Sequence, residues 1–347
     1  MIKISKDMTF EQDGKIWNLN ELPEGFVIKG DLDLHGRGLK TLPDLSKVTI
    51  EGSFACSFNE LTSLEGAPRI VEGDFHCNNN QLTTLEGAPV IVGGDFSCHH
   101  NQITSLKGAI IKISGDFYCG FNQLTSLKEG LIKVSNGFYC NNNQLTSIEG
   151  VPQEVKSFNC SNNQLTSLEG APQEVKYFNC SNNQLTSLKG APQEVRYFDC
   201  SNNQLTSLEG APQRIVCDFD CSHNQVTSLE GAPQEVGGDF NCSQNQLANF
   251  ELPQKVGGSF YYDDNPFTNL GLEYAYPQKE IDPLQNKMDL LRAKLGNNVG
   301  KTGNSSKKLT EISNEEKNTY KKTAKTQVEI SKAIMTAKRT NRNNFGS

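Results

Sequence analysis

The chain holds eleven cysteines, and ten of them fall in one column: Cys56, Cys77, Cys98, Cys119, Cys140, Cys160, Cys180, Cys200, Cys221 and Cys242. Thiols at that density raise the question of metal, redox or nucleophilic chemistry, and their spacing argues against all three. Successive members are 20 or 21 residues apart. In stacked parallel strands this sets neighbouring Cβ atoms ~4.8 Å apart, beyond the ~3.5–4.5 Å usual for a disulfide. A straight line of thiols also fails to converge tetrahedrally on zinc. The column therefore reads as core packing, with Cys acting as a small buried hydrophobe. Cys217 stands outside it, in place of a bulge glycine, and is the thiol most open to reaction.

Other candidate groups also fall into columns. Asp74, Asp95, Asp116, Asp218 and Asp239 precede Phe residues. Stacked carboxylates repel and need screening by a cation or water, but the flanking glycines make a bulge the simpler explanation. His76, Tyr118, Tyr139, Tyr177, Tyr197 and Tyr261 lie at odd offsets from the cysteine position, so in a strand they point away from the core. His99 follows Cys98 directly, while Phe58, His100 and Phe121 come two residues after Cys, where the chain is already turning. No nucleophile–base set emerges. The chain is read as non-enzymatic, without cofactor, metal or small-molecule substrate. Its aromatics are of the kind that anchor protein interfaces.

The element that must position these residues is a repeat. The clearest unit is Val155-Lys-Ser-Phe158-Asn-Cys160-Ser-Asn-Asn163-Gln-Leu165-Thr-Ser-Leu168-Glu-Gly-Ala-Pro172. Phe and Cys two apart share one face of a short strand. Asn three residues after Cys can supply donors and acceptors where the chain leaves the strand. The two Leu turn inward and Gly-Ala-Pro brings the chain back. Apolar-x-x-apolar-x-apolar-x-x-Asn-x-apolar is the leucine-rich-repeat spacing. Ten such units, and one more at each end through Leu32–Leu39 and Phe260–Leu270, give about twelve over residues 27–270. The fold expected is a mainly β solenoid with one curved parallel sheet and extended or 3₁₀ returns. The 21-residue units carry an extra residue before Phe, as in Gly93-Gly94-Asp95, which fits a glycine bulge.

These residues resemble the short leucine-rich repeats of bacterial effector proteins, most closely at Ser161-Asn-Asn-Gln-Leu-Thr-Ser-Leu168. The Gly-Asp-Phe-x-Cys form is also similar to repeat proteins of bacteria and large tailed bacteriophages. Some such effectors add a ubiquitin-ligase domain with a catalytic cysteine. No cysteine follows Cys242, so that activity is not carried over.

Residues 1–26, with Trp17, are read as an N-terminal cap. Residues 271–299 are read as a C-terminal cap helix, with Leu284, Met288, Leu291 and Leu295 at helical spacing. Residues 300–347 read as a basic, largely disordered tail. From 301 on there are eleven Lys and Arg against four Asp and Glu, so the overall −7 hides −14 on residues 1–300. The tail is a candidate for contact with an acidic surface. The net charge gives no reason to expect nucleic-acid binding by the body, and no apolar run reaches the ~18 residues of a membrane helix. Many cysteines without an apolar leader suit a reducing cytoplasm, with a virion or leaderless export as alternatives. The function expected is protein recognition on the concave face; the alternative is a structural component of a phage particle or other assembly.

Overall fold

Burial of the columns closes the repeat into layers. In the computed structural model, which describes residues 2–107, 109–128, 130–248 and 253–266, Val175, Phe178, Cys180, Leu185 and Leu188 of one unit are all fully buried. Equivalent sets recur unit after unit along a single continuous core. Each such side chain contributes about 1.5–3 kcal/mol on burial, so a layer with few apolar residues still closes once its neighbours cover it.

The strands that carry Phe and Cys form one twelve-stranded parallel sheet running from Leu32–Asp33 to Phe260–Tyr261. Every strand pairs in register with the strand one unit on, for example Phe158 with Phe178 and Phe178 with Phe198. The Phe rings stack through the core from Phe54 to Phe260, with neighbouring centroids between 4.9 Å (Phe75–Phe96) and 6.1 Å (Phe138–Phe158). Each aromatic pair adds roughly 0.5–1.5 kcal/mol beyond its buried area. The cysteines sit beneath, and each thiol from Cys98 to Cys200 donates to a carbonyl of the next strand, as from Cys180 Sγ to Asp199 O at 3.4 Å.

The returns are extended, and no α-helix occurs among the described residues. They add further parallel ladders beyond the main sheet. Six strands from Val27–Ile28 to Leu131–Val134 pair in one run, and four from Glu194–Val195 to Lys255–Val256 in another. Each pairs because an inward apolar residue, such as Ile50, Val71 or Val92, is fully buried and fixes the register of its neighbours. Gly170 and Gly190 turn the chain at φ 87° and 91°, a region that favours glycine.

At the N-terminal end a hairpin, Thr9–Gln12 with Lys15–Asn18, covers the first layer. It buries Phe10, and Leu19 just after it is fully buried. Ile2 bridges in parallel to Leu32. Gln12 pins the hairpin to the first unit, donating from Nε2 to Val27 O and accepting from Lys29 N, both at 2.9 Å. Arg37, standing where later units have Asn, donates from its guanidinium to Ile4 O and Ser5 O. The expected helix at 271–299, the tail at 300–347, and Phe267 and Leu270 of the last unit lie outside the described residues.

Candidate binding face

The outward face of the sheet is held by two columns of polar side chains. The first is asparagine. Asn183 donates from Nδ2 to Cys160 O, Cys180 O and Ser181 O, at 3.0–3.1 Å, while its Oδ1 accepts Leu165 N at 3.0 Å. One amide thus serves two units at the point where both strands end. The same arrangement repeats from Asn80 to Asn265, with every one of these amides buried. The second column is aspartate. Asp95 N donates to Asp74 Oδ1, Asp116 N to Asp95 Oδ1 and Asp239 N to Asp218 Oδ1, all at 2.8 Å. Backbone N–H groups from the next unit therefore stand between the stacked carboxylates and stabilise them. Among the described residues, no group of three or more His, Cys, Asp or Glu converges to hold a metal ion.

Beyond these columns the face carries the aromatics, in three places. The largest group spans the units from Phe58 to Tyr139. His76, Ser97, Tyr118 and Tyr139 occupy successive register positions. The rings of Tyr118 and Tyr139 stack at 4.8 Å and 11°, and Tyr118 OH donates to Asp116 Oδ2 at 2.8 Å. His100 stacks on Phe121 at 4.3 Å and 15°, with His99 edge-on to His100 at 5.3 Å. His99 Nδ1 lies 2.7 Å from Ser97 Oγ, and His76 Nε2 lies 3.9 Å from Asp74 Oδ2. Tyr177 and Tyr197 pair in register farther along, and Tyr261 stands near the far end of the sheet. The fold therefore brings most of the sequence-selected residues into one patch and leaves these three tyrosines apart from it.

One member of the patch is absent from the sequence-selected set. His35 packs against Phe58 with centroids 4.9 Å apart. Its signal was its offset: it follows Leu34 as His99 follows Cys98.

The turn after each Cys has an unusual backbone. The second residue after Cys sits in the left-handed region in every unit from Phe58 to Asp264, with φ between 53° and 56°. Asn fills it at 79, 142, 162, 182 and 202, and Asn tolerates that region because its short polar side chain hydrogen-bonds locally. Phe58, His100 and Phe121 occupy it without that compensation. Phe58 is 55% exposed and Phe121 45%.

Burial and neighbouring charge move several ionisable groups of the face away from their ordinary ranges. Burial, with the charges of His100 and His76, lowers the His99 pKa and favours the neutral ring. Burial and the Asp116 carboxylate raise the Tyr118 and Tyr139 hydroxyls above the usual phenol range. Burial likewise raises Tyr197 to about 12, with Asp199, Asp220 and Asp218 adding to it. The ten column thiols are pushed far up by burial, so no thiolate is available inside the sheet. All eleven cysteines are unpaired, and Cys217 is half-buried.

Unit length, in-register parallel strands and the Asn column define a leucine-rich-repeat solenoid. No protein-family model matches the chain, and no curated protein matches it. Among solved structures it is similar to YopM from Yersinia enterocolitica WA-314, with 20% identity and a TM-score of 0.43 over 68% of this chain and 64% of that one. It is also similar to the functional domain of InlJ from Listeria monocytogenes, described as including a cysteine ladder, with 20% identity and a TM-score of 0.48 over 67% of this chain and 53% of that one. A third likeness is to YopM, a leucine-rich effector protein from Yersinia pestis, with 19% identity and a TM-score of 0.38 over 69% of this chain and 84% of that one. The chain thus spans less than two thirds of the first two. No helix among the described residues is long and apolar enough to cross a membrane.

Proposed function

We propose that the chain is a non-enzymatic scaffold that binds a protein partner on the sheet face, across the patch from Phe58 to Tyr139. One observation carries this reading. Phe58, His100 and Phe121 are bulky side chains clustered in left-handed backbone, at a position that Asn fills in five other units and His223, Gln244 and Asp264 in the last three. A non-glycine residue there loses about 1–2 kcal/mol, and two of the three expose large rings to solvent. His35 against Phe58 and His100 on Phe121 return part of that loss, and the ring surface still open to solvent is what an interface anchor would cover.

The Phe58→Asn/Phe121→Asn variant tests it directly. Stability, read from denaturant midpoints, is expected to rise by roughly 1 kcal/mol, while partner capture falls. A photo-crosslinker at Tyr139, compared with one at Lys189 on a return, then places the partner. Crosslinks from position 139 that vanish in the double variant support the reading. Crosslinks confined to the returns or the ends sink it, and favour a spacer within an assembly.

A further inference from the structure

The face has a charge asymmetry that the whole-chain value conceals. The outward positions are three and one before the cysteine and one and two after it. Over the twelve strands they carry eleven Asp and no Lys or Arg. The cations of the solenoid lie elsewhere. Lys29 pairs with Asp13, Lys47 with Glu24, Lys128 with Glu149 and Arg214 with Glu235, all on the cap or the returns. Two carboxylates of the face accept neutral donors: Asp116 takes Gly137 N and Asn136 Nδ2, and Asp220 takes Ser222 N and Asn241 Nδ2. These bonds orient the two carboxylates and bring no positive charge to them.

Resting on the reading above, we infer that the partner presents a basic segment, whose Lys and Arg side chains lie over the Tyr118–Tyr139 stack and along the Asp95–Asp116 carboxylates. Aromatic faces attract cations, the aliphatic stems of Lys and Arg cover apolar rings, and an acid-only surface steers cations and repels nucleic acid or an acidic protein. The stacked tyrosines and the aspartate column lie side by side, since Asp116 holds the Tyr118 hydroxyl. One bound segment therefore meets ring and carboxylate together.

A random-peptide display library panned against the full chain tests this, with counter-selection on the Phe58→Asn/Phe121→Asn variant. Peptides that bind the parent and not the variant are expected to carry net positive charge. Their affinity is expected to fall about two- to fivefold for each of Asp95→Asn and Asp116→Asn, and to weaken as salt is raised. The amide keeps an acceptor oxygen for the next unit's N–H, so the ladder survives these substitutions. If the variant-sensitive peptides are neutral or acidic, the basic-partner inference fails while the docking face stands. If no peptide distinguishes parent from variant, both fail.

Discussion

Asp199 occupies the position directly before Cys200, where Asn159, Asn179 and Asn241 stand in other units. Its Oδ1 accepts Ser201 N and Oγ, as Asn179 Oδ1 accepts Ser181 N and Oγ, so an amide keeps these bonds and gives up the one that Oδ2 accepts from Asn179 Nδ2 at 3.1 Å. The carboxyl is raised above the usual Asp range, first by burial and then by the charge of Asp220 in the next strand, against the Ser201 hydrogen bonds. A raised folded-state value means that the folded chain holds this proton more tightly than the unfolded one. The ionised form therefore costs stability above that value, and the cost disappears as pH falls towards the ordinary Asp range, ~3.9. Asp199→Asn is expected to be the more stable protein at pH 7, by up to about 1 kcal/mol for a partly exposed group. The gap should close by pH 4. Urea midpoints at the two pH values measure this, and an unchanged gap would mean that charge is not the cause.

Among the elements, the residues just before each main-sheet strand show how one unit constrains the next. Gly94 lies over Asp74, Gly115 over Asp95, Gly238 over Asp218 and Gly258 over Asp239, and in each case a Cβ would run into the carboxylate beneath. Larger residues at this position sit over units without Asp: Lys176 follows Ser157, and Arg196 follows Tyr177. Asn136 over Asp116 is the exception, where its amide donates to the carboxylate at 2.6 Å. Gly94→Ala is expected to cost about 1–3 kcal/mol, and Asp74→Gly in the same chain should restore much of it. A double-mutant cycle by denaturation reads the coupling; additive losses would place the clash on the backbone instead. The glycine and aspartate columns were visible in the sequence, because they recur in register; that each glycine lies over the carboxylate of the unit before it was not. The roles of Cys, Phe and Asn were visible too, since each depends only on position within the unit. The return ladders were not visible, since two-residue pairs such as Ile70–Val71 have no periodicity of their own. The direction of Phe58 and Phe121 was hidden as well, because it follows from the sign of φ in the turn. Asn at 142 and 162 marks that sign, and Phe at 58 and 121 conceals it.

A solenoid has no single centre, and its stability sums the units and the interfaces between neighbours. The main sheet joins each unit only to the ones before and after it. A lesion at one end should therefore stay near that end. Leu19 is the sharpest place to make one: it is fully buried in the N-terminal cover, next to the hairpin that holds the first unit through Gln12 and Lys29. Leu19→Ala is expected to remove about 2–5 kcal/mol of local stability. Hydrogen exchange should quicken at amides of the first units, such as Thr49 N bonded to Phe26 O and Glu51 N bonded to Ile28 O. Amides in the middle of the sheet, such as Cys180 N bonded to Asp199 O, should keep their protection. The units between Ser157 and Asp199 share near-identical sequence and in-register pairing, so they form the most uniform stretch of the rod. If exchange quickens equally at both ends and the middle, the rod unfolds as one cooperative block and the nearest-neighbour picture is wrong for it.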